Sequence, residues 1–309
     1  MTSAPRGRCR PCSSSAPTGM MTTGSFFAIA ANSSEVISSR RTRRNPREGH
    51  KWFASARSLV NLKQGLHPPP KPFPLHGPPT AVRVAALFSG GKDSTYAAYV
   101  AMQRGWDVTQ LLSIIPEDRD SMLFHTPNLQ LTPLQAETMR IPLIRETAAI
   151  GEDGELDALR RIFRRVDVDG VIVGAIASDY QHTRVNRIAD EVGLRVFAPL
   201  WRRDPTQLVY DYLQAGFDIA FSSVSAEGLD ASWLGRRWDD HVIQDLLHLQ
   251  KTRGVHPCGE GGEFETLVLD APPFEQSIEV VRATPDWRGT AGVWRVDEAR
   301  LAPKPNRGS

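Results

Sequence analysis

Cysteine is scarce in this 309-residue chain, which holds only Cys9, Cys12 and Cys258. Cys9 and Cys12 make a lone C-x-x-C, with no second pair to complete a tetrahedral zinc site, so a zinc ribbon or finger is excluded. Long apolar runs are missing as well. The one apolar patch of the first 80 positions, residues 26–31, is far too short to span a bilayer. Its Ser/Thr-rich approach also lacks the basic flank of a signal peptide, and no membrane partner is expected. Acidic residues nearly vanish from the first 80 positions, where Glu35 and Glu48 face twelve Lys and Arg, a balance of +10. Since the whole chain carries +2, residues 81–309 carry −8. That sign argues against a surface built to grip a nucleic-acid backbone, and no direct nucleic-acid partner is expected.

The same 80 residues are rich in Ser, Pro and Arg, show no sustained apolar period, and end in a proline cluster over 68–79. Disorder is the reading such a composition supports. An Arg- and Ser-rich, acid-poor stretch resembles an organelle transit peptide, but no amphipathic helix accompanies it, and a cytoplasmic protein is expected. Residues 1–81 are read as a basic extension that is upstream sequence, with Val82 as an alternative GTG start. The rival expectation is a genuine tail that attracts anionic partners.

What the chain does have begins at Val82. An apolar β-branched run stops at Ser89-Gly90-Gly91, and an amphipathic stretch over 93–103 starts at once. That is strand, tight turn, helix. Paired glycines let a backbone approach a ligand closely, and the amides of the first helical turn favour an anion. Lys92 adds a positive charge, and Ser89 and Ser94 add hydroxyls, so a polyphosphate suits the turn. The spacing is not that of the Walker loop, G-x-x-x-x-G-K-[ST].

Strand and helix then alternate. Strands are expected at 107–115, 141–145, 170–174 and 194–200, and helices at 132 onward, 156–166, 181–192 and 204–215. Thr132, Pro133 and Gln135 read as a capping box. The order implies an α/β fold, a doubly wound parallel sheet with its ligand at the carboxyl ends of the strands. Beyond residue 217 the pattern changes to a smaller α+β domain. The expected division is 82–216, 217–302 and a frayed tail at 303–309. Within the second part, Glu260, Glu263 and Glu265 crowd a glycine-rich loop. Such a loop is either simply solvated, or suited to a cation, a cationic substrate or a proton from ammonium.

The hexapeptide Ser-Gly-Gly-Lys-Asp-Ser at 89–94 resembles the motif of the PP-loop ATP pyrophosphatases, a HUP-type, adenine nucleotide alpha hydrolase-like fold. Four further motifs narrow the resemblance to the diphthine–ammonia ligase family: His-Thr-Pro-Asn at 125–128, Gly-Ala-Ile-Ala-Ser-Asp-Tyr-Gln at 174–181 with Arg184, Gly-Leu-Asp-Ala-Ser-Trp-Leu-Gly-Arg at 228–236, and Gly-Glu-Gly-Gly-Glu-Phe-Glu-Thr at 259–266. The resemblance covers nearly all of residues 82–300.

It implies ATP-dependent amidation of diphthine on elongation factor 2 with ammonium, through an acyl-adenylate, giving AMP and pyrophosphate. Ser89, Gly90, Gly91, Lys92, Asp93, Ser94, Ser113 and Gly174 would contact the nucleotide, with Asp93 helping to hold Mg²⁺. Lys92 and the loop amides would stabilise the departing pyrophosphate. Glu260, Glu263 and Glu265 would hold the trimethylammonium, steer ammonium or deprotonate it. Arg184 would face a phosphate or the carboxylate, against a plain reading as solvated helix surface; Arg236 would bind the acceptor, and Trp233 and Trp238 would line a cleft by cation–π contact with trimethylammonium, although core packing is the commoner role of a tryptophan. His125 and His256 read as loop-shaping, and Cys258 as a packed loop thiol. A homodimer is among the assemblies left open. Two rivals stand beside this reading: a PP-loop tRNA-modifying enzyme (thiolase or lysidine-synthetase-like), and a non-catalytic nucleotide-binding module.

Overall fold

A computed structural model describes residues 81–117 and 127–305. The basic extension with Cys9 and Cys12, and His125 of the His-Thr-Pro-Asn motif, lie outside the described residues. The first strand, β1 (Arg83–Leu87), is the centre of a five-stranded parallel sheet. Around it run β2 (Asp107–Pro116), β3 (Leu143–Ala148), β4 (Gly170–Ile172) and β5 (Arg195–Phe197), in the order β3-β2-β1-β4-β5. The order reverses between β1 and β4, and a sheet of this type receives ligands in the crevice at that reversal.

Period-two alternation sorts the side chains onto two faces. Val84, Ala86 and Leu111 point to one core with α1 (Lys92–Gln103) and α2 (Thr132–Met139). Ala85, Leu112 and Val171 point to the other, with α3 (Glu152–Phe163) and α4 (Asp179–Glu191). Ala97, Ala98 and Ala101 are fully buried on α1. Their small side chains let that helix sit close to the equally small Ala86, which draws the β1–α1 turn tight. On α3, Leu156, Leu159, Ile162 and Phe163 form a helical stripe no more than 3% exposed, each contributing roughly 1.5–3 kcal/mol by burial.

After α5 (Pro205–Gln214), whose start is capped by Asp204 accepting from the Gln207 N–H at 2.8 Å, the chain builds a second sheet. Strands β6 (Asp218–Val224), β7 (Phe264–Asp270), β8 (Ser277–Trp287) and β9 (Gly292–Ala302) pair antiparallel in the order β7-β6-β9-β8. Helix α6 (Asp240–Arg253) precedes β7.

The free edge of β7 meets the β1–α1 turn, where the Val268 N–H donates to the Gly90 carbonyl at 3.0 Å. Gln135 rivets the same junction, its Nε2 donating to Gly90 O at 2.8 Å and Val268 O at 2.9 Å. The expected capping box at α2 therefore does not form. Leu131 stands at the N-cap, Thr132 Oγ1 donates to Leu129 O, and Gln135 is fully buried between the sheets. Asn128, at φ 62°, completes the join by pairing its amide with Trp294 O at 2.9 Å and the Val296 N–H at 3.0 Å.

Candidate active site

The turn after β1 is built by local constraint. Gly90 sits at φ 78°, and a Cβ there would come 2.1 Å from Gln135 Oε1, so both conformation and space demand glycine. Ser89 and Ser94 face each other with Oγ atoms 3.1 Å apart. Gly91 is the N-cap of α1 and brings no side chain, so no residue at the cap position itself satisfies the first helical amides. One of them, the Lys92 N–H, donates to Thr266 Oγ1 at 3.1 Å. The remainder of this positive helix end faces the crevice, a seat for an anion.

Lys92 departs from the sequence expectation. Its side chain is 3% exposed, and Nζ donates to Cys258 O at 2.6 Å and to Asp93 Oδ2 at 2.8 Å, with the Phe264 ring 5.2 Å away. The other Asp93 oxygen accepts from the Tyr212 hydroxyl at 2.6 Å. Burial alone would lower the Lys92 pKa, but Asp93, Cys258 and Glu260 together outweigh it and the net direction is upward. Burial, then the Asp93 charge, drives the Tyr212 phenol well above its ordinary value. Burial also pushes the Cys258 thiol up to about 12, which makes it a packed and unreactive group. The ammonium thus lies behind the turn, between the two sheets.

In front of the turn opens a cleft bounded by the ends of the parallel strands and by the acidic loop. Its polar wall is Ser89, Gly91, Asp93, Ser94 and Gly174. Its apolar wall is Leu87, Leu112, Ile114, Val173 and Val185, with Gln181 and His182 at the margin. His182 stacks on Trp201 with centroids 4.0 Å apart. Gly174 is required by close approach, since a Cβ there would lie 2.8 Å from the backbone of Asp93 and Ser94.

The acidic loop supplies the third wall, through Glu260, Glu265 and Thr266. Its glutamates differ in use. Glu260 Oε2 accepts from the backbone of Ile176, Ala177 and Ser178. Glu263 folds back on its own loop, accepting from the His256 and Gly261 N–H groups at 2.8 Å each. Glu265 opens β7 beside Phe264.

Besides Lys92 and Glu263, five expected side-chain contacts are not brought to the cleft. Ser113 is fully buried on the sheet face opposite Leu112 and Ile114, the two β2 residues that do line it. Arg184 stacks on Tyr180 at 3.4 Å and pairs with Glu152 at 2.7 Å on the outer side of α4. Trp233 is 5% exposed against Phe221, with centroids 5.1 Å apart. Arg236 lies over that indole and pairs with Asp245 at 2.7 Å. Trp238 is also core, its Nε1 donating to Val209 O at 3.1 Å. Conversely, sequence reasoning missed Tyr212 altogether, and named Gln135 and Thr266 only as a helix cap and a motif end. Their positions in the site carry no local signal, because each acts through side-chain bonds to segments distant in the chain.

Comparison with known proteins agrees with this architecture. The diphthamide synthase N-terminal domain model matches residues 82–196, and the diphthamide synthase C-terminal domain model matches residues 204–302. The diphthine–ammonia ligase of Rattus norvegicus is 35% identical over 222 residues, covering 64% of this chain and 83% of that protein. The Homo sapiens protein of the same name is 33% identical with the same coverages. The Schizosaccharomyces pombe one is 36% identical over 64% of this chain, but the chain spans only 36% of that longer relative. A solved structure of a predicted tRNA methyltransferase subunit from Methanocaldococcus jannaschii covers 62% of this chain and 98% of its own at 16% identity and a TM-score of 0.31, a likeness too weak to carry an argument. With both domain models matched in order across the two sheets, the chain belongs to the diphthamide synthase family.

Proposed function

We propose that this chain is an ATP-dependent ligase that amidates diphthine on elongation factor 2 with ammonia. Residues 82–216 hold the nucleotide, and residues 217–302 present the acceptor side. One observation carries the reading beyond family membership: the anion-seating turn 89–94 and the acidic loop line one and the same cleft. A polyphosphate and a cationic acceptor can therefore meet there.

The diphthine carboxylate attacks the α-phosphate of ATP, forming an acyl-adenylate and releasing pyrophosphate. Ammonium gives up a proton, and ammonia displaces AMP to leave the amide. Backbone amides of the α1 start, with Ser89 and Ser94, stabilise charge on the departing pyrophosphate. Lys92 supports this from behind, fixing Asp93 and the Cys258 carbonyl so that the turn keeps its shape. Glu265 is the loop carboxylate offered to the ammonium or trimethylammonium. The high-pKa Cys258 thiol speaks against thiol-transfer chemistry in this cleft.

Mg²⁺ is ordinarily held by one or two carboxylates together with substrate phosphates, so in this cleft it would arrive with the nucleotide. Among the described residues no three His, Cys, Asp or Glu side chains gather at one point. Asp93, the expected ligand, has its two oxygens engaged by Lys92 and Tyr212. Asp93 thus belongs to the buried Lys92 pair. The reading is tested by pyrophosphate release from ATP that depends on diphthine-bearing factor, with amide formation depending on ammonium as well. Release that ignores the factor refutes it.

A further inference from the structure

The loop over residues 256–266 crosses from α6 to β7 with three glycines in its middle, two of them at positive φ, Gly259 at 75° and Gly262 at 79°. Ordering such a segment costs conformational entropy, so something must hold it across the cleft. The structure points to Glu260. Its Oε2 accepts from the Ala177 N–H at 2.8 Å, the Ser178 N–H at 3.1 Å and the Ile176 N–H at 3.4 Å, residues more than eighty positions away. These three amides belong to the connection that leads into the 13-residue helix α4, the last of them at its N-cap Ser178, whose side chain accepts from the Gln181 N–H at 3.3 Å. Converging amides at a positive helix end form an anion seat, and this one is filled by a carboxylate of the chain itself. The connection that carries the seat also leans on the phosphate turn, with the Gly174 Cα packed against Asp93 and Ser94 backbone.

We infer that Glu260 is a positioning residue. Its carboxylate straps the acidic loop to the start of α4, and so closes turn, connection and loop into one rim around the nucleotide. It does not meet the ammonium or the trimethylammonium. The inference rests on the proposed nucleotide reading of the cleft, and it assigns that site's loop acids to different tasks. The carboxylate head is held at the α4 amides, on the nucleotide side, and Glu265 is left at the start of β7.

Two variants separate the roles. In Glu260→Gln an amide oxygen still accepts the same N–H bonds, whereas Glu260→Ala empties the seat. A strap predicts that Glu260→Ala raises the KM for ATP about tenfold, the loss of roughly one charge-assisted bond set. The KM for ammonium should stay within about twofold, and Glu260→Gln should keep the ATP KM within about threefold. Formate, which fits an empty carboxylate seat, should lower the ATP KM of Glu260→Ala. Amide exchange at Ile176, Ala177 and Ser178 without any substrate should quicken in Glu260→Ala.

Unchanged exchange at those three amides overturns the strap. So does a Gln variant as damaged as the Ala variant in ammonium KM with an unaltered ATP KM. Should the wild-type chain fail to amidate diphthine, the proposed function falls. The exchange measurement and direct ATP binding by the two variants would still decide the strap.

Discussion

Replacing Lys92 with methionine keeps the aliphatic stem and deletes the ammonium. Two groups lose their partner: the Asp93 carboxylate, 2.8 Å away, and the Cys258 carbonyl, 2.6 Å away. Removing one member of a buried pair costs about 3–5 kcal/mol because the other charge stays buried. The Asp93 side chain is 20% exposed and keeps its bond from Tyr212, so the lower end, about 3 kcal/mol, applies. For a body of this size that lowers the melting temperature by roughly 6–12 °C. Thermal unfolding by circular dichroism reads the first effect, and calorimetric titration with ATP below the transition reads the second. ATP affinity should fall by no more than about tenfold, since the turn amides and hydroxyls remain.

The pH dependence has a definite sign. The folded Lys92 pKa is raised above its ordinary 10.5, so the stability it contributes is complete below the unfolded value and is lost as pH rises through the higher folded one. Wild type should converge on Lys92→Met only in that alkaline window. A variant that melts like wild type yet no longer binds ATP would refute the reasoning and return the ammonium to the phosphates.

Further outcomes follow from the same geometry. Gly174→Ala drives a Cβ to 2.8 Å from α1 backbone and should abolish ATP binding; titration that still shows wild-type affinity counts against the close approach. Arg184→Ala and Trp233→Phe test residues that the sequence nominates and the structure moves away from the cleft. Both should leave the ATP and ammonium KM values near wild type, with any loss seen as melting temperature. The Cys258 thiol, pushed up to about 12, should resist a thiol reagent at pH 8 in the native protein and react on unfolding; rapid native labelling would contradict its burial.

The parallel sheet was legible because its signals are local. The β1 run, the Ser-Gly-Gly turn and the α3 stripe each specify an element from neighbouring residues, and α5 begins at the expected Asp204 cap. Boundaries slipped where local signals are ambiguous: the helix expected from residue 156 begins at Glu152, so Glu152 and Asp153 form the acidic first turn of α3. The phosphate turn was read as an anion seat, but Lys92 was given to the wrong side of it. No sequence pattern says whether a turn lysine reaches forward to a ligand or back to a carbonyl 166 positions later. The motif at 228–236 left its tryptophan open between cleft and core. Its Trp233 and Arg236 build an aromatic core and an ion pair, and a motif marks what a fold needs as readily as what a substrate needs.

Purified chain, ATP, ammonium and diphthine-bearing elongation factor 2, followed together for amide on the factor and for AMP and pyrophosphate in solution, test the central claim most directly. The account predicts that all three products form in equal amounts and that omitting either the factor or ammonium stops amide formation. Amide formation accompanied by ADP and phosphate, or AMP formation indifferent to the factor, would contradict it.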